Sequence, residues 1–253
     1  MQLLFIHGWG MNSTIWDSTI QALKGHAEKS LDCKTIDLGF VKGGETSPFD
    51  QTQPTIVITH SLGTSWFLKN YQTAMFEKLN LKAFITVNGF TNFASFTAEE
   101  TLNKMKEGVL ANPATQMALF WRRAGCKNFT SPENLNPEKL HEGLEWLATW
   151  DVAKEAANLN CPKLILASKS DKIVPASAIE EQWYSAVAGG QPEAPSKSAV
   201  AATVAGRQPK EHLERGQPEA PQKISWHETA PHCLQLAEPE WVAEKIIEQV
   251  QAL

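Results

Sequence analysis

The stretch TIVITHSLG at residues 55–63 decides the fold of this chain. Residues 55–59 form an apolar, β-branched run that is typical of a buried strand. The run breaks at Ser61, with Gly63 two positions later, which is the pattern of a nucleophile elbow. In such an elbow a strand turns sharply into a helix and holds the serine at the apex. We therefore predict that Ser61 is a nucleophile at the end of a strand.

Strand-like and helix-like segments alternate along the chain. This pattern predicts an α/β fold with a mostly parallel sheet of about six strands and helices on both faces. The predicted strands are Gln2–Ile6, Lys34–Leu38, Thr55–Thr59, Lys82–Val87, Lys163–Ala167 and Lys223–Trp226. Helices are predicted over Ile15–Lys24 and Leu62–Lys78. Ser61 is then expected at the carboxyl edge of the sheet, where open parallel sheets bind ligands.

Two regions interrupt the alternation. Residues 91–160, called here the cap segment, have no strand signal and predict three helices, Ala98–Leu110, Ala114–Ala124 and Pro137–Trp150. We expect them to form a helical cap over the carboxyl edge, with residues 1–90 and 161–253 as the α/β core. Residues 186–222 contain GQPEAP twice and no aromatic residue, which predicts a flexible surface insertion within the core. A partner-docking segment is the alternative.

The composition excludes several classes of function. A net charge of −5 and a pI near 5.8 argue against a nucleic-acid partner. The four cysteines lack ligand spacing, so we expect neither a metal site nor a disulfide framework, and no cofactor. No stretch approaches the ~20 apolar residues of a membrane span. We expect a cytoplasmic monomer with no membrane partner.

A serine hydroxyl becomes a good nucleophile when a histidine takes its proton and a carboxylate orients that histidine. Asp171 follows a buried strand and is the predicted acid, with Asp37 and Asp151 as weaker candidates. His232 is the predicted base. We prefer it to His227 because His232 lies in a loop, which can reach back over the sheet edge.

The stretch HGWG at residues 7–10 follows the first predicted strand. Its two glycines allow the backbone to approach a ligand closely. We expect the backbone N–H of Trp9 and that of Leu62 to bind the oxyanion of a tetrahedral intermediate. The Trp9 ring is expected at the pocket wall, although a plain core role is the alternative. His7 is expected to tie the loop down by hydrogen bonds.

These motifs resemble those of the α/β-hydrolases. The resemblance extends to HGWG, to the THSLG elbow, to SDKIVP at 170–175 and to PHCLQLAEP at 231–239. Within that superfamily the chain is most similar to the pimeloyl-acyl-carrier-protein methyl ester esterases of biotin synthesis, through HGWGMNSTIW at 7–16 and LHEGLEWLATWD at 140–151. The resemblance implies Ser61, Asp171 and His232 as the catalytic triad, with Trp9 and Leu62 as oxyanion donors.

Three features depart from that family's pattern. The fold usually has two further strands before the HGWG loop, whereas here the loop follows the first predicted strand. Thr59 replaces the first elbow glycine, which requires that the neighbouring helix leave room for it. The insertion at 186–222 lengthens the spacing between acid and histidine.

The cap segment carries the signals for substrate. Residues 101–131 contain one acidic residue, Glu107, and five basic residues, Lys104, Lys106, Arg122, Arg123 and Lys127. This asymmetry favours docking of an acidic acyl carrier protein through Arg122, Arg123 and Lys127; a solvated helix face is the alternative. The cap aromatics Phe93, Phe96, Phe120, Trp121, Phe129, Trp146 and Trp150 either pack on the core or line an acyl channel.

Together these patterns predict a serine carboxylesterase that acts on a small-molecule or carrier-bound ester, with the methyl ester of a pimeloyl carrier protein as the favoured substrate. A broad hydrolase of small esters, lactones or thioesters is the enzymatic alternative. A non-catalytic binding protein on a hydrolase fold is the alternative of another class.

Overall fold

The computed structural model describes residues 1–26, 31–126, 129–130, 132–185 and 222–253. Within these residues, six parallel strands form one sheet in the order β2-β1-β3-β4-β5-β6. The strands are β1 (Gln2–Ile6), β2 (Asp32–Ile36), β3 (Thr55–His60), β4 (Leu81–Val87), β5 (Lys163–Ser168) and β6 (Gln222–His227). The predicted fold class is confirmed.

Helices separate successive strands as the sequence pattern predicts, except between β2 and β3, where the described residues 37–54 contain none. They are α1 (Asp17–His26), α2 (Leu62–Asn70), α3 (Glu99–Ala111), α4 (Pro113–Ala124), α5 (Pro137–Thr149), α6 (Ala153–Ala157), α7 (Ala176–Ser185), α8 (Leu234–Ala237) and α9 (Pro239–Gln251). Short 3-10 turns cover Ser13–Trp16 and Pro132–Asn134. The helices α3, α4 and α5 of the cap segment lie between β4 and β5 in the chain.

One helix prediction was too long. The helix predicted over Leu62–Lys78 ends at Asn70. There the Asn70 side-chain amide donates to the Trp66 carbonyl oxygen at 2.8 Å, and the Thr73 hydroxyl donates to the Asn70 carbonyl oxygen at 2.7 Å. Short polar side chains compete in this way with the helical ladder, so the segment continues as turns.

The sheet is covered on both faces. Every residue of β1, β3 and β5 is buried, as expected for parallel strands with helices on each side. Helix α1 packs against α9, and α2 packs against α6. The predicted insertion at 186–222 lies outside the described residues except for Gln222, which instead begins β6. Among the described residues, no helix is long and apolar enough to cross a membrane.

Because all six strands are parallel, their carboxyl ends meet at one edge. The HGWG loop follows β1 and the elbow follows β3. Asp171 lies just beyond β5, and His232 lies in the loop between β6 and α8. The fold therefore brings four segments that are distant in sequence to the same edge of the sheet.

Candidate active site

Ser61 occupies the strained apex of a strand–helix turn. It joins β3 to α2 with φ 50° and ψ −125°, a conformation that a non-glycine residue rarely adopts. Its backbone N–H donates to the Val87 carbonyl oxygen at 3.0 Å. A Cβ on Gly63 would lie 2.5 Å from the His7 carbonyl oxygen, so only glycine lets α2 leave the elbow this close to β1. This backbone geometry is that of a nucleophile elbow.

Thr59 fits its buried position because its hydroxyl is part of a hydrogen-bonded chain. Its Oγ1 lies 2.9 Å from Thr64 Oγ1, which in turn lies 2.6 Å from Thr86 Oγ1. Thr59 also donates to the Ile85 carbonyl oxygen at 3.4 Å. A Cβ on Gly89 would lie 1.8 Å from Thr86 Oγ1, so that glycine makes the room. The local packing therefore accommodates Thr59 at the position where the elbow pattern has a glycine.

Asp171 and His232 form a buried hydrogen-bonded pair. His232 Nδ1 lies 2.7 Å from Asp171 Oδ2, and the two side chains are 0% and 1% exposed. The other carboxylate oxygen, Oδ1, accepts the backbone N–H groups of Ile173 at 2.6 Å and Val174 at 3.0 Å. The turn after β5 thus orients the carboxylate, which holds the imidazole with its proton on Nδ1.

The second ring nitrogen of the base is left free. His232 Nε2 is buried and has no hydrogen-bond partner among the described residues. The structure therefore does not join it to the Ser61 hydroxyl by a hydrogen bond, although His60, next to Ser61, packs its ring 4.8 Å from the His232 ring. Catalytic hydrogen bonds are often long in a free enzyme and tighten when substrate binds. The free nitrogen is the one that a serine hydroxyl would use.

The HGWG loop lies directly against the elbow. A Cβ on Gly8 would lie 2.9 Å from the Ser61 Cβ, so the absent side chain allows this approach. Leu62 is the first residue of α2, and its N–H has no partner within the helix. The Trp9 ring is 2% exposed, donates through Nε1 to the Leu140 carbonyl oxygen at 2.8 Å, and packs against Phe120 at 4.7 Å. Its ring thus anchors the loop to α5.

The weaker sequence candidates lie in other environments. His7 Nδ1 donates to the Gly8 carbonyl oxygen at 2.9 Å, and its Nε2 accepts the Leu38 N–H at 2.8 Å, as expected for a residue that fixes the loop. Asp37 Oδ2 lies 3.5 Å from His7 Nε2. Asp151 accepts from Asn92 at 3.1 Å. His227 packs against Trp241.

The surroundings of Asp37 favour the charged form of its carboxylate. Burial alone would raise its pKa. The neighbouring His7 imidazole, together with the backbone N–H groups of Ser13 and Gly39, outweighs burial and holds the pKa of Asp37 below its ordinary value. Asp37 therefore stabilises the loop after β2 rather than orienting His232.

Two residues beside His232 were not singled out in the sequence. Asn88 Nδ2 donates to the His232 carbonyl oxygen at 2.8 Å, and His60 Nε2 lies 3.2 Å from the same oxygen. Burial, and next the nearby His232, lower the pKa of His60 well below its ordinary value, so His60 is neutral. Asn88 precedes a glycine at the end of a strand, a turn signal that marks such a residue in sequence.

An apolar cavity of about 230 Å³ lies between the cap segment and the turn after β5. Its apolar lining comes from Phe93, Met105, Leu119, Phe120 and Ile173, and its polar lining from Thr97, Thr101, Gln116 and Arg123. Of the seven cap aromatics, Phe93 and Phe120 line it. Trp146 instead stacks on Trp150, and Trp121 packs against Phe129.

A basic cleft adjoins this cavity and shares Leu119 and Arg123 with it. Its other lining residues are Arg122 and Lys172. Arg123 Nε donates to the Lys172 carbonyl oxygen at 2.9 Å. Within the described ranges, no carboxylate forms an ion pair with these three basic side chains. By contrast, Lys104 and Lys106 pair with Glu100 and Glu145. Lys127 lies outside the described residues.

Comparisons with known proteins agree with this architecture. No family model matches the chain. An esterase from Exiguobacterium antarcticum superposes with a TM-score of 0.72 at 12% identity, covering 99% of this chain and 92% of that protein. A bromoperoxidase from Bacillus anthracis gives a TM-score of 0.69 at 14% identity, over 99% of this chain and 91% of that protein.

The protein has the α/β-hydrolase fold. Among curated proteins, the chain is similar to the pimeloyl-[acyl-carrier protein] methyl ester esterase of Pectobacterium atrosepticum. The two are 24% identical over 227 residues, which cover 76% of this chain and 86% of the relative. The resemblance that the motifs indicate is therefore confirmed as a similarity that extends over 76% of this chain.

Proposed function

We propose that this α/β-hydrolase is a serine carboxylic ester hydrolase with Ser61 as nucleophile, His232 as general base and Asp171 as the orienting acid. The observation that carries the proposal is the 2.7 Å bond between His232 Nδ1 and Asp171 Oδ2. It leaves Nε2 without a partner in the described part of the chain, at the sheet edge that also holds the strained Ser61. This is the arrangement that activates a serine hydroxyl.

The proposed reaction assigns one step to each of these groups. His232 Nε2 takes the proton of the Ser61 hydroxyl as Oγ attacks the ester carbonyl carbon. The N–H groups of Trp9 and Leu62 stabilise the oxyanion, an interaction whose loss typically costs on the order of 10²–10³ in rate. The imidazolium protonates the departing alcohol, and a water activated by His232 releases the acid and frees Ser61.

Replacement of the nucleophile tests the reaction class. Ser61→Ala should lower the turnover of a methyl ester by on the order of 10⁶ relative to wild type. Ser18→Ala on the exposed surface of α1 is the matched control and should retain full activity. A fluorophosphonate probe should label Ser61 in the folded protein. Unlabelled Ser61 together with absent ester turnover would instead favour a non-catalytic binding protein.

For the substrate, we propose the methyl ester of a pimeloyl chain attached to acyl carrier protein. The relative in Pectobacterium atrosepticum carries that activity in its name. The apolar cavity of about 230 Å³ offers a place for an acyl chain. Arg122, Arg123 and Lys172 at the adjoining cleft offer cations to an acidic carrier and to the phosphate of its prosthetic group.

Arg122 gives the sharpest test of carrier docking because it lines the cleft but not the cavity. Arg122→Glu should raise KM for a carrier-bound ester several-fold and leave the kinetics of a free methyl ester unchanged. Lys154→Glu, a charge reversal at an exposed site on α6, is the control. Equal losses on both substrates would argue against docking at this cleft.

A chain-length series separates the specific esterase from a broad one. Free and carrier-bound methyl esters of increasing length should give a maximum near the pimeloyl chain and a preference for the carrier-bound form. The gene should also restore growth without biotin to a strain that lacks this esterase. A flat profile without carrier preference would favour the broad hydrolase of small esters, lactones or thioesters.

A further inference from the structure

We propose that His60 and Asn88 are positioning residues that hold His232 in place from two neighbouring strands. The proposal rests on the proposed function, because it assigns these residues a role in the same reaction. Both side chains are buried, so neither is exposed to bind a substrate. Each acts on the backbone carbonyl group of His232, whose oxygen accepts both Asn88 Nδ2 at 2.8 Å and His60 Nε2 at 3.2 Å.

His232 needs such support because it lies in a loop. Its own backbone is outside the sheet, between β6 and α8. A base that must exchange protons with a serine and a departing alcohol requires a fixed geometry, and a misplacement of about 1 Å can cost on the order of 10² in rate. The Asp171 carboxylate fixes the ring of His232. The two bonds to the carbonyl oxygen fix its main chain and use both of that oxygen's lone pairs.

Asn88 links His232 to the strand that leads to Asp171. It follows β4 in the left-handed conformation, with φ 46°, which asparagine tolerates better than most residues. Its Oδ1 accepts the backbone N–H of Ser168 at 2.9 Å, at the last residue of β5. One buried amide group therefore binds the end of β5 with its oxygen and the base with its nitrogen.

His60 links His232 to the nucleophile. It directly precedes Ser61, and its ring lies 4.8 Å from the His232 ring. A carbonyl oxygen only accepts hydrogen bonds, so His60 Nε2 carries the proton and donates it. His60 thus supplies a ring donor that stays uncharged, which matters because a second cation beside His232 would disfavour the imidazolium formed during catalysis.

Together the two bonds connect all three members of the proposed triad through buried side chains. His60 and Asn88 are each 1% exposed. Ser61, His232 and Asp171 lie in the segments that follow β3, β6 and β5. The His232 carbonyl oxygen is the point where the supports from β3 and β4 meet.

A series at His60 separates positioning from packing. His60→Phe keeps a buried ring but removes the donor, while His60→Gln keeps a side-chain N–H that can reach the carbonyl oxygen. We expect His60→Phe to lower kcat roughly 10- to 100-fold, with KM for a methyl ester unchanged within about twofold. His60→Gln should recover most of that loss. His141→Phe, at a histidine on α5, controls for the loss of an imidazole elsewhere.

Asn88→Asp provides a second test of the positioning role, and this test does not depend on whether His60→Phe folds. Aspartate keeps an acceptor for the Ser168 N–H and the shape of the side chain, but as a carboxylate it has no donor for the His232 oxygen. It should lower kcat by a similar factor. In His60→Phe and Asn88→Asp, which each lack one donor to the His232 oxygen, the downfield imidazole proton resonance of His232 should broaden or shift. It should stay sharp in His60→Gln.

The outcomes are separable from those of the proposed function. If Ser61→Ala retains ester turnover, the triad itself is wrong. If wild-type turnover depends on Ser61 but folded His60→Phe and Asn88→Asp keep kcat within twofold, the positioning role is overturned. Equal losses in His60→Phe and His60→Gln, with an unchanged His232 resonance, would also overturn it, because packing alone would then explain the effect.

Discussion

The indole N–H of Trp121 donates a 2.8 Å hydrogen bond to the carbonyl oxygen of Gly10. A second hydrogen bond has its donor in the loop and its acceptor in a helix: the indole N–H of Trp9 donates to the Leu140 carbonyl oxygen, also at 2.8 Å. The loop after β1 is therefore bonded to α4 by a side chain of the cap segment and to α5 by a side chain of its own. The position of Trp9, one of the two proposed oxyanion donors, therefore depends on both helices.

Trp121→Phe should destabilise the fold and slow catalysis. It leaves the buried Gly10 carbonyl oxygen without this donor, which typically costs about 1–3 kcal/mol in the free energy of unfolding. Because Gly10 follows Trp9, we expect kcat to fall with little change in KM. Urea unfolding and steady-state kinetics check this. Trp146→Phe, a half-buried indole on the neighbouring helix, is the control; equal effects there would indicate loss of ring packing instead.

Gly63 and Gly25 form a matched pair of helical glycines. A Cβ at Gly63 would lie 2.5 Å from a backbone oxygen of β1's loop, whereas nothing lies within 4 Å of a Cβ at Gly25. Gly63→Ala should abolish activity and lower the melting temperature. Gly25→Ala should raise the free energy of unfolding by up to about 1 kcal/mol through helix propensity. A soluble, active Gly63→Ala variant would contradict the packing of the elbow.

Stability should depend on pH through His60. Its pKa in the folded state is lowered, because burial and the nearby His232 disfavour the charged form. The unfolded chain takes up a proton near the ordinary histidine pKa of about 6.5, so stability falls as the pH drops below that value. His60→Gln lacks this group and should lose less stability between pH 7 and pH 5. Above pH 8 the difference between the two proteins should stay constant.

Cys126 and Cys233 should slowly form a disulfide under a diazene oxidant such as diamide, because the hydrogen bond to Cys126 and burial raise the pKa of the Cys233 thiol well above its ordinary value. Their Sγ atoms lie 3.0 Å apart and both thiols are free. Oxidation removes both thiol hydrogens, which reduce the diazene to a hydrazine as the S–S bond forms. Mass spectrometry should show the loss of two hydrogens in a peptide pair that contains both residues. Cys126→Ser should prevent it; a disulfide that persists in that variant would assign the reaction to another pair.

The remaining cysteines should react slowly. Burial raises the pKa of Cys33 to about 11 and that of Cys161 to about 12, so little thiolate is present at neutral pH. Alkylation of the folded protein at pH 7 should leave Cys161 unmodified, and unfolding in urea should expose it. Rapid labelling of Cys161 in the native state would show that the segment before β5 opens locally.

Fully buried strands could be predicted closely from sequence. Five of the six strands begin and end within one residue of their predicted bounds. β1, β3 and β5 are buried throughout, so their apolar runs are continuous. β6 is a half-buried edge strand, and the alternation of Ile224, Ser225 and Trp226 indicates it instead. β2 lies two residues earlier than predicted, over Asp32–Ile36. It is an edge strand with half-buried, mixed side chains, so its pattern is weak.

The site could be predicted in part. Asp171 and His232 could be named because the order of nucleophile, acid and base along the chain is a property of the motifs, and the structure joins them by a hydrogen bond. The contacts of Asn88 could not, because they cross 144 residues to His232 and 80 residues to Ser168. No local pattern encodes such pairs, and asparagine before glycine indicates only a turn.

The two oxygens of Asp171 are not interchangeable, and this constrains what can replace it. Oδ1 receives two backbone N–H groups, so only an acceptor fits there, while Oδ2 faces His232 Nδ1. An asparagine at 171 would have to place its oxygen toward the backbone and its NH₂ toward the imidazole. His232 would then be locked with its hydrogen on Nε2, unable to accept one from serine. The smallest chemical change at this position thus freezes the base in the wrong tautomer.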